Sequence, residues 1–276
     1  RLVSWIESNA QAIAPVLSTP PARLQKRLVR LDGSDPAATQ AMQATDPAHA
    51  DTLWRAYEAA HPCELRVGLW LERRSVYAGE AFESRLIRGQ QRNTHLGVDL
   101  FLPAGTPLRA PLDGSVVSTA VDTMAQGFGG VLLLQHEPEP GLVFFSFWGH
   151  LEPASIGSLA DGAAVRQGDE IAQLGRPGVN GGWPPHLHFQ LLTLPFAQAD
   201  EVPGACEADL ADVWAELAPD PSRFLGLPPE LLQPSGRSPA ELVTHRSQTI
   251  GPNLSISYRD APLKIVRGDD VWLIDS

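Results

Sequence analysis

The sequence predicts a mainly β fold, an antiparallel β-sandwich or roll, preceded by a helical segment. Three observations lead there. Between residues 64 and 195 the chain is a series of short β-branched or aromatic runs broken by Gly and Pro. Residues 1 to 60 instead space their apolar side chains as helices do. The composition, 43% hydrophobic and 19% charged over 276 residues, is that of a globular protein with a sizeable core.

In chain order, "RLVSWIESNAQAIAPVL" carries Leu2, Trp5, Ile6 and Ile13 at helix-compatible spacing. In "TDPAHADTLWRAYEAA", Thr45 or Asp46 is placed to cap a helix and Pro47 sits near its first position. That helix stops before Pro62, which disfavours helical backbone at His61. Nothing in 1–63 points to chemistry, so a packing or linker role is expected. From 64 to 195, "LRVGLWLE", "HLGVDLFL", "GSVVSTAV", "GVLLLQHE", "GLVFFSFWGHL" and "PHLHFQLLTL" read as strands of one domain. Residues 196–240 form a Pro- and Ala-rich extension and linker, with "DLADVWAELA" as a short helix. Residues 241–276 begin a further strand-forming unit.

Composition excludes some functions. A net charge of −11 argues against a nucleic-acid backbone as partner. No apolar run approaches the ~18 residues that a membrane span requires. Cys63 and Cys206 lack CxxC spacing and are expected as free thiols. The chain opens at Arg1 with no signal-peptide pattern, which suggests an excised or processed piece.

The chemistry is in the histidines. In "NGGWPPHLHFQ", His186 and His188 stand two apart, so on a strand they share one face while Leu187 and Phe189 take the other. "THLGVDLF" sets His95 and Asp99 four apart. On a straight strand that is roughly 13 Å, too far for ligands each ~2.0–2.2 Å from one zinc. The chain must therefore bend, and Gly97 permits it. His95 is expected in a loop or turn and Asp99 on the strand that follows. His95, Asp99 and one of the His186/His188 pair make three ligands, which leaves a fourth zinc position open for water. The other member of the pair and His150, in "FWGHL", suit proton transfer and charge stabilisation.

"HLGVDLFLPAGTPLRAPLDGSVV", "FWGHL", "VRQGDEIAQLG" and "NGGWPPHLHFQ" together resemble the lysostaphin-type (LytM-like) zinc metallopeptidases, over about residues 64–195. The resemblance implies a β-rich fold of duplicated-hybrid-motif type with a narrow groove over zinc. It implies hydrolysis of peptide bonds, usually in bacterial cell-wall peptides and often next to glycine or a D-amino acid. By the family's pattern His95, Asp99 and His188 bind zinc, and His150 and His186 are catalytic. All five positions are filled, unlike those of degenerate members. Trp148 stands where a Tyr is common, keeping an aromatic groove wall without the hydroxyl.

"TIGPNLSISYRDAPLKIVRGDDVWLIDS" is similar to the first strands of class III aminotransferases, too short to reach their pyridoxal-phosphate residues. The two resemblances together imply an internal piece of a fusion whose covalent partners are a kinase-like domain and an aminotransferase. They also imply a cytoplasmic setting, with the cell envelope as alternative, and small peptides or amino-acid conjugates as alternative substrates. Against the peptidase stands a non-catalytic peptide-binding or spacer domain. "DGAAVRQGDEIAQLG" also resembles the hairpin of biotinyl and lipoyl carriers. They need a hairpin lysine, and none lies between Lys26 and Lys264. His49, His61, His136 and His245 are expected to be structural. Arg92 and Asn93, just before His95, are near enough in sequence to line the groove but are assigned no role.

Overall fold

A computed structural model of the chain describes residues 1–44, 46–228, 231, 265–269 and 272–275. Two compact units are found, Arg1–Pro228 and Pro229–Ser276. In the second, β13 (Ile265–Asp269) and β14 (Trp272–Asp275) pair as an antiparallel hairpin. The rest of the segment read as the start of an aminotransferase lies outside the described residues.

The first unit opens with α1 (Leu2–Asn9), β1 (Lys26–Leu28), α2 (Pro36–Gln43), α3 (Pro47–Ala60) and β2 (Leu65–Gly68). Then follow β3 (Thr94–His95), β4 (Val98–Phe101), β5 (Pro107–Arg109), β6 (Gly114–Asp122), β7 (Gly129–His136) and β8 (Phe144–Leu151). The unit ends with α4 (Pro153–Ile156), β9 (Ala164–Val165), β10 (Glu170–Gln173), β11 (His186–Leu192), β12 (Ala205–Cys206) and α5 (Ala211–Leu217). The fold is mostly β, as expected. Eight strands form one sheet in the order β1-β2-β4-β11-β8-β7-β6-β9. Every neighbouring pair is antiparallel except β1 and β2, which run parallel, so the sheet is mixed.

Local sequence accounts for most ends. Asp46 caps α3 by accepting from the His49 N–H at 2.9 Å, with Pro47 as the first helical residue. Asp35 does the same for α2 and also accepts from the Tyr57 hydroxyl at 2.7 Å, which ties α2 to α3. Two elements fall short of the sequence pattern. α1 ends at Asn9, and after one 3-10 turn Ile13 is extended, because Pro15 keeps Ala14 out of helical backbone. The Ala14 N–H then bonds Pro111 O at 2.9 Å. β2 stops at Gly68 rather than running through "LWLE", since Leu71 turns left-handed at φ 53° and sends its N–H to His95 O.

β8 and β11 are buried along their whole length, so both faces of the sheet are covered. Behind the sheet, Trp148 packs edge-on to Phe189, Phe224 stacks on Phe189, and Trp5 of α1 reaches Phe144. On the front, Leu133, Phe147 and Leu192 pack with Ala199, Val202 and Cys206. The extension after β11 thus contributes to both layers. At the β4 edge of the front face, α2 and α3 cluster with Phe101 and Trp183. Cys63 and Cys206 are free thiols. Among the described residues no helix is long and apolar enough to cross a membrane.

Candidate metal centre

Three front-face strands and one short strand bring the histidines together. In β11 the period-2 rule puts His186, His188 and Gln190 on one face. His188 pairs directly across from Asp99 of β4, so these two side chains rise side by side. His95 was expected in a loop or turn. It sits instead in the two-residue β3, held by β12 and by the bonds of its backbone to Leu71 and Glu72.

The bend between His95 and Asp99 falls at Gly97, as expected, but for a different reason. Its φ is not left-handed. What the site needs is space: a Cβ there would lie 2.7 Å from Cε1 and Nε2 of His188 and 2.7 Å from Phe189 O. Gly97→Ala is therefore expected to cost roughly 1–3 kcal/mol of stability and to weaken metal binding by displacing the His188 ring. Thermal melts with and without zinc check this. Unchanged melts would show that the ring has room to move.

His95, Asp99 and His188 form a group whose ligand atoms all lie within 4.8 Å of one another. His95 Nε2 is 3.0 Å from His188 Nδ1, and each is 3.2 Å from Asp99 Oδ1. The outer nitrogens fix the tautomers. His95 Nδ1–H donates to Leu69 O at 2.8 Å, and His188 Nε2–H to Gln190 Oε1 at 3.1 Å. The three inward atoms are then all lone-pair donors with no proton between them, an arrangement that suits a cation. Tetrahedral ligands ~2.0–2.1 Å from zinc stand about 3.3 Å apart, close to these spacings.

Ionisation agrees. Burial and the Arg74 charge push the His95 imidazole down to about 3, so it is neutral. Burial opposes ionisation of Asp99, but the Arg74 guanidinium prevails and holds the carboxyl well below its usual range. Neutral imidazole and carboxylate are the forms that bind metal.

His150 reaches the site through a bulge. Gly149 lies opposite His188, and strict alternation would turn His150 to the back of the sheet. Between Gly130 and Leu132 of β7, however, β8 carries an extra residue, and His150 adopts φ 63°. Its ring is brought to the front, 4.1 Å between centroids from His186. A non-glycine residue held left-handed is strained backbone of the kind found at functional sites. His150 Nδ1–H donates to Asn180 O at 3.0 Å and His186 Nδ1–H to Pro184 O at 2.8 Å. Both Nε2 atoms are left as bases. Burial lowers both imidazoles, His150 furthest, helped by the neighbouring histidines. His186 Nε2 lies 3.9 Å from Asp99 Oδ1, outside the close three-atom group.

His150, His186 and His188 open into a cleft of ≈ 760 Å³, with Phe128, Trp183 and Arg92 on its walls. His95 and Asp99 are buried. A separate groove of ≈ 630 Å³ beside α3 holds none of the five residues. Trp148, expected as a groove wall, is fully buried on the back of the sheet, where its Nε1–H donates to Ser146 Oγ. His136 is also structural, bonded to Asp113 O and Ser146 Oγ. Arg74, Asn180 and Gln190 escaped the sequence reading. Gln190 was within reach, since it continues the His186–His188 alternation. Arg74, beside Arg73 in a plain charged stretch, carried no signal.

Residues 93–199 match the model of Peptidase family M23. An uncharacterized metalloprotease of Haemophilus influenzae is 35% identical over 96 residues, which are 35% of this chain and 18% of that protein. Among solved structures, a zinc containing peptidase from Vibrio cholerae is 26% identical, covering 47% of this chain and 33% of that one, with a TM-score of 0.31. The catalytic domain of the antimicrobial peptidase lysostaphin from Staphylococcus simulans is 25% identical, covering 51% and 85%, with a TM-score of 0.33. The M23 match begins two residues before His95 and contains all five site residues. Arg74, Glu72 and the helical segment lie outside it.

Proposed function

We propose that the chain is a zinc-dependent endopeptidase acting on cell-wall-type peptides or on small peptide or amino-acid conjugates. One observation carries the reading. Three convergent lone-pair donors, 3.0–3.2 Å apart, sit where the cleft meets the sheet, beside two further histidines with free Nε2 atoms. The M23 match supports it.

His95, Asp99 and His188 would hold the metal and leave one position open. Bound zinc supplies a Lewis acid and a water of lowered pKa. In amide hydrolysis water oxygen bonds to the carbonyl carbon, the C–N bond breaks, and protons move to the departing amine. His150 and His186 would carry those proton movements; what supports this is that each is locked by its Nδ1–H and presents Nε2. The covalent kinase-like and aminotransferase neighbours and the cytoplasmic setting belong to this proposal as its context.

The test is cleavage of synthetic peptides, including glycine-rich and D-alanine-containing ones, followed by mass spectrometry. Turnover that stops on chelation and returns with zinc is expected. Tight peptide binding with zinc bound and no cleaved product would favour the non-catalytic binding or spacer domain.

A further inference from the structure

The deepest charged group beside the metal centre is Arg74. Its side chain is 1% exposed, and its Nη1 donates to Asp99 Oδ2 at 2.6 Å and to the Tyr77 hydroxyl at 2.7 Å. Its Nε donates to Glu72 Oε2 at 3.2 Å. Asp99 thus uses its two oxygens differently: Oδ1 faces the two imidazoles and Oδ2 faces a guanidinium. Glu72 is itself anchored, since its Oε1 accepts the Leu31 N–H at 3.1 Å, and Leu31 O accepts the Ser75 N–H at 2.8 Å. Leu31 is fully buried in the core formed with α2 and α3.

We infer that Arg74 is a positioning residue for the metal centre: it keeps Asp99 Oδ2 from the metal and presents Oδ1 as the single ligating oxygen, with the N-terminal segment holding it through Leu31 and Glu72. The physical reason is rotational. A carboxylate with both oxygens free can turn about χ2 or bind through both. A short charge-assisted bond to one oxygen sets the plane of the group and the direction of the other. The guanidinium is held by two carboxylates and a phenol hydroxyl, so it cannot follow a swinging aspartate. These partners lie outside the M23 match, so this support is contributed by the flanking segment. The inference rests on the reading of His95, Asp99 and His188 as the metal site.

The test is metal affinity rather than turnover. Zinc binding is measured on the full chain by competition with a chromophoric chelator, for wild type, Arg74→Lys, Arg74→Met and Glu72→Gln, with circular dichroism as the folding control. The visible spectrum of the cobalt-loaded protein reports the ligand geometry. Arg74→Lys keeps the buried charge and is the variant that decides if Arg74→Met fails to fold. Its zinc affinity is expected to fall roughly 10-fold, within the ~10–100-fold range for such supporting partners, with a changed cobalt spectrum. Glu72→Gln is expected to lose less. Folded Arg74→Lys with wild-type affinity and an unchanged cobalt spectrum would overturn the inference. A wild type that binds no zinc would instead sink the reading beneath it.

Discussion

His188→Ala is expected to abolish stoichiometric zinc binding while the sheet stays folded. Four-ligand structural zinc sites bind with apparent free energies of about 10–16 kcal/mol, so one ligand is worth about 3 kcal/mol, or roughly 100-fold in affinity. The loss here should reach at least that, because the site has three protein ligands to share the load. Removal of the ring also frees Gln190 Oε1 and takes away one of the two nitrogens facing Asp99 Oδ1. The core behind the strand is carried by Leu187, Phe189 and Leu191, which the substitution leaves alone. Zinc per chain after gentle purification, with circular dichroism alongside, checks it. One zinc retained in the folded variant would show that the metal is held elsewhere.

The second large effect separates chemistry from metal binding. His186→Ala and His150→Asn are each expected to keep one zinc per chain and to lose about 10²–10⁴-fold in kcat, the usual weight of a proton-transferring side chain. His186 lies outside the close three-atom group, and the His150 ring is 6.4 Å between centroids from His188. Asn is the informative replacement at His150, because it tolerates the left-handed backbone that β8 imposes there. That variant should be at least as stable as wild type while far less active, the mark of strain kept for function. Steady-state kinetics, zinc analysis and thermal melts decide it together. Loss of zinc in either variant would move that histidine into the ligand set, and full activity would remove it from the chemistry.

The reach of the sequence differs from element to element. The alternation in "HLHFQ" placed His186 and His188 on one face, and the distance limit on "HLGVD" required a bend before Asp99; both hold in the fold. Spacing left open which of the two histidines joins His95 and Asp99, and the tertiary arrangement groups His188 with them. Proline and aspartate gave the ends of α3 correctly because capping and φ restriction act over a few residues. Trp148 pairs with Phe189 and follows the alternation of β8 to the back of the sheet, whereas the face of His150 does not follow from alternation alone. His150 is turned to the front by a single extra residue in β8, and that bulge exists only against its register with β7.

The sequence by itself determined the mainly β class, the helical start, and the donor types that make a cation site chemically possible. Those follow from periodicity, backbone restriction and side-chain chemistry, all of which are local. Tertiary structure alone decided that Arg74 reaches Asp99, that Gly97 must yield space to an imidazole from β11, and that the extension after β11 covers both faces of the sheet. Each of these joins residues tens of positions apart or more. Their meeting depends on strand register and core packing, which are set by the free energy of the whole chain rather than by any one stretch of it.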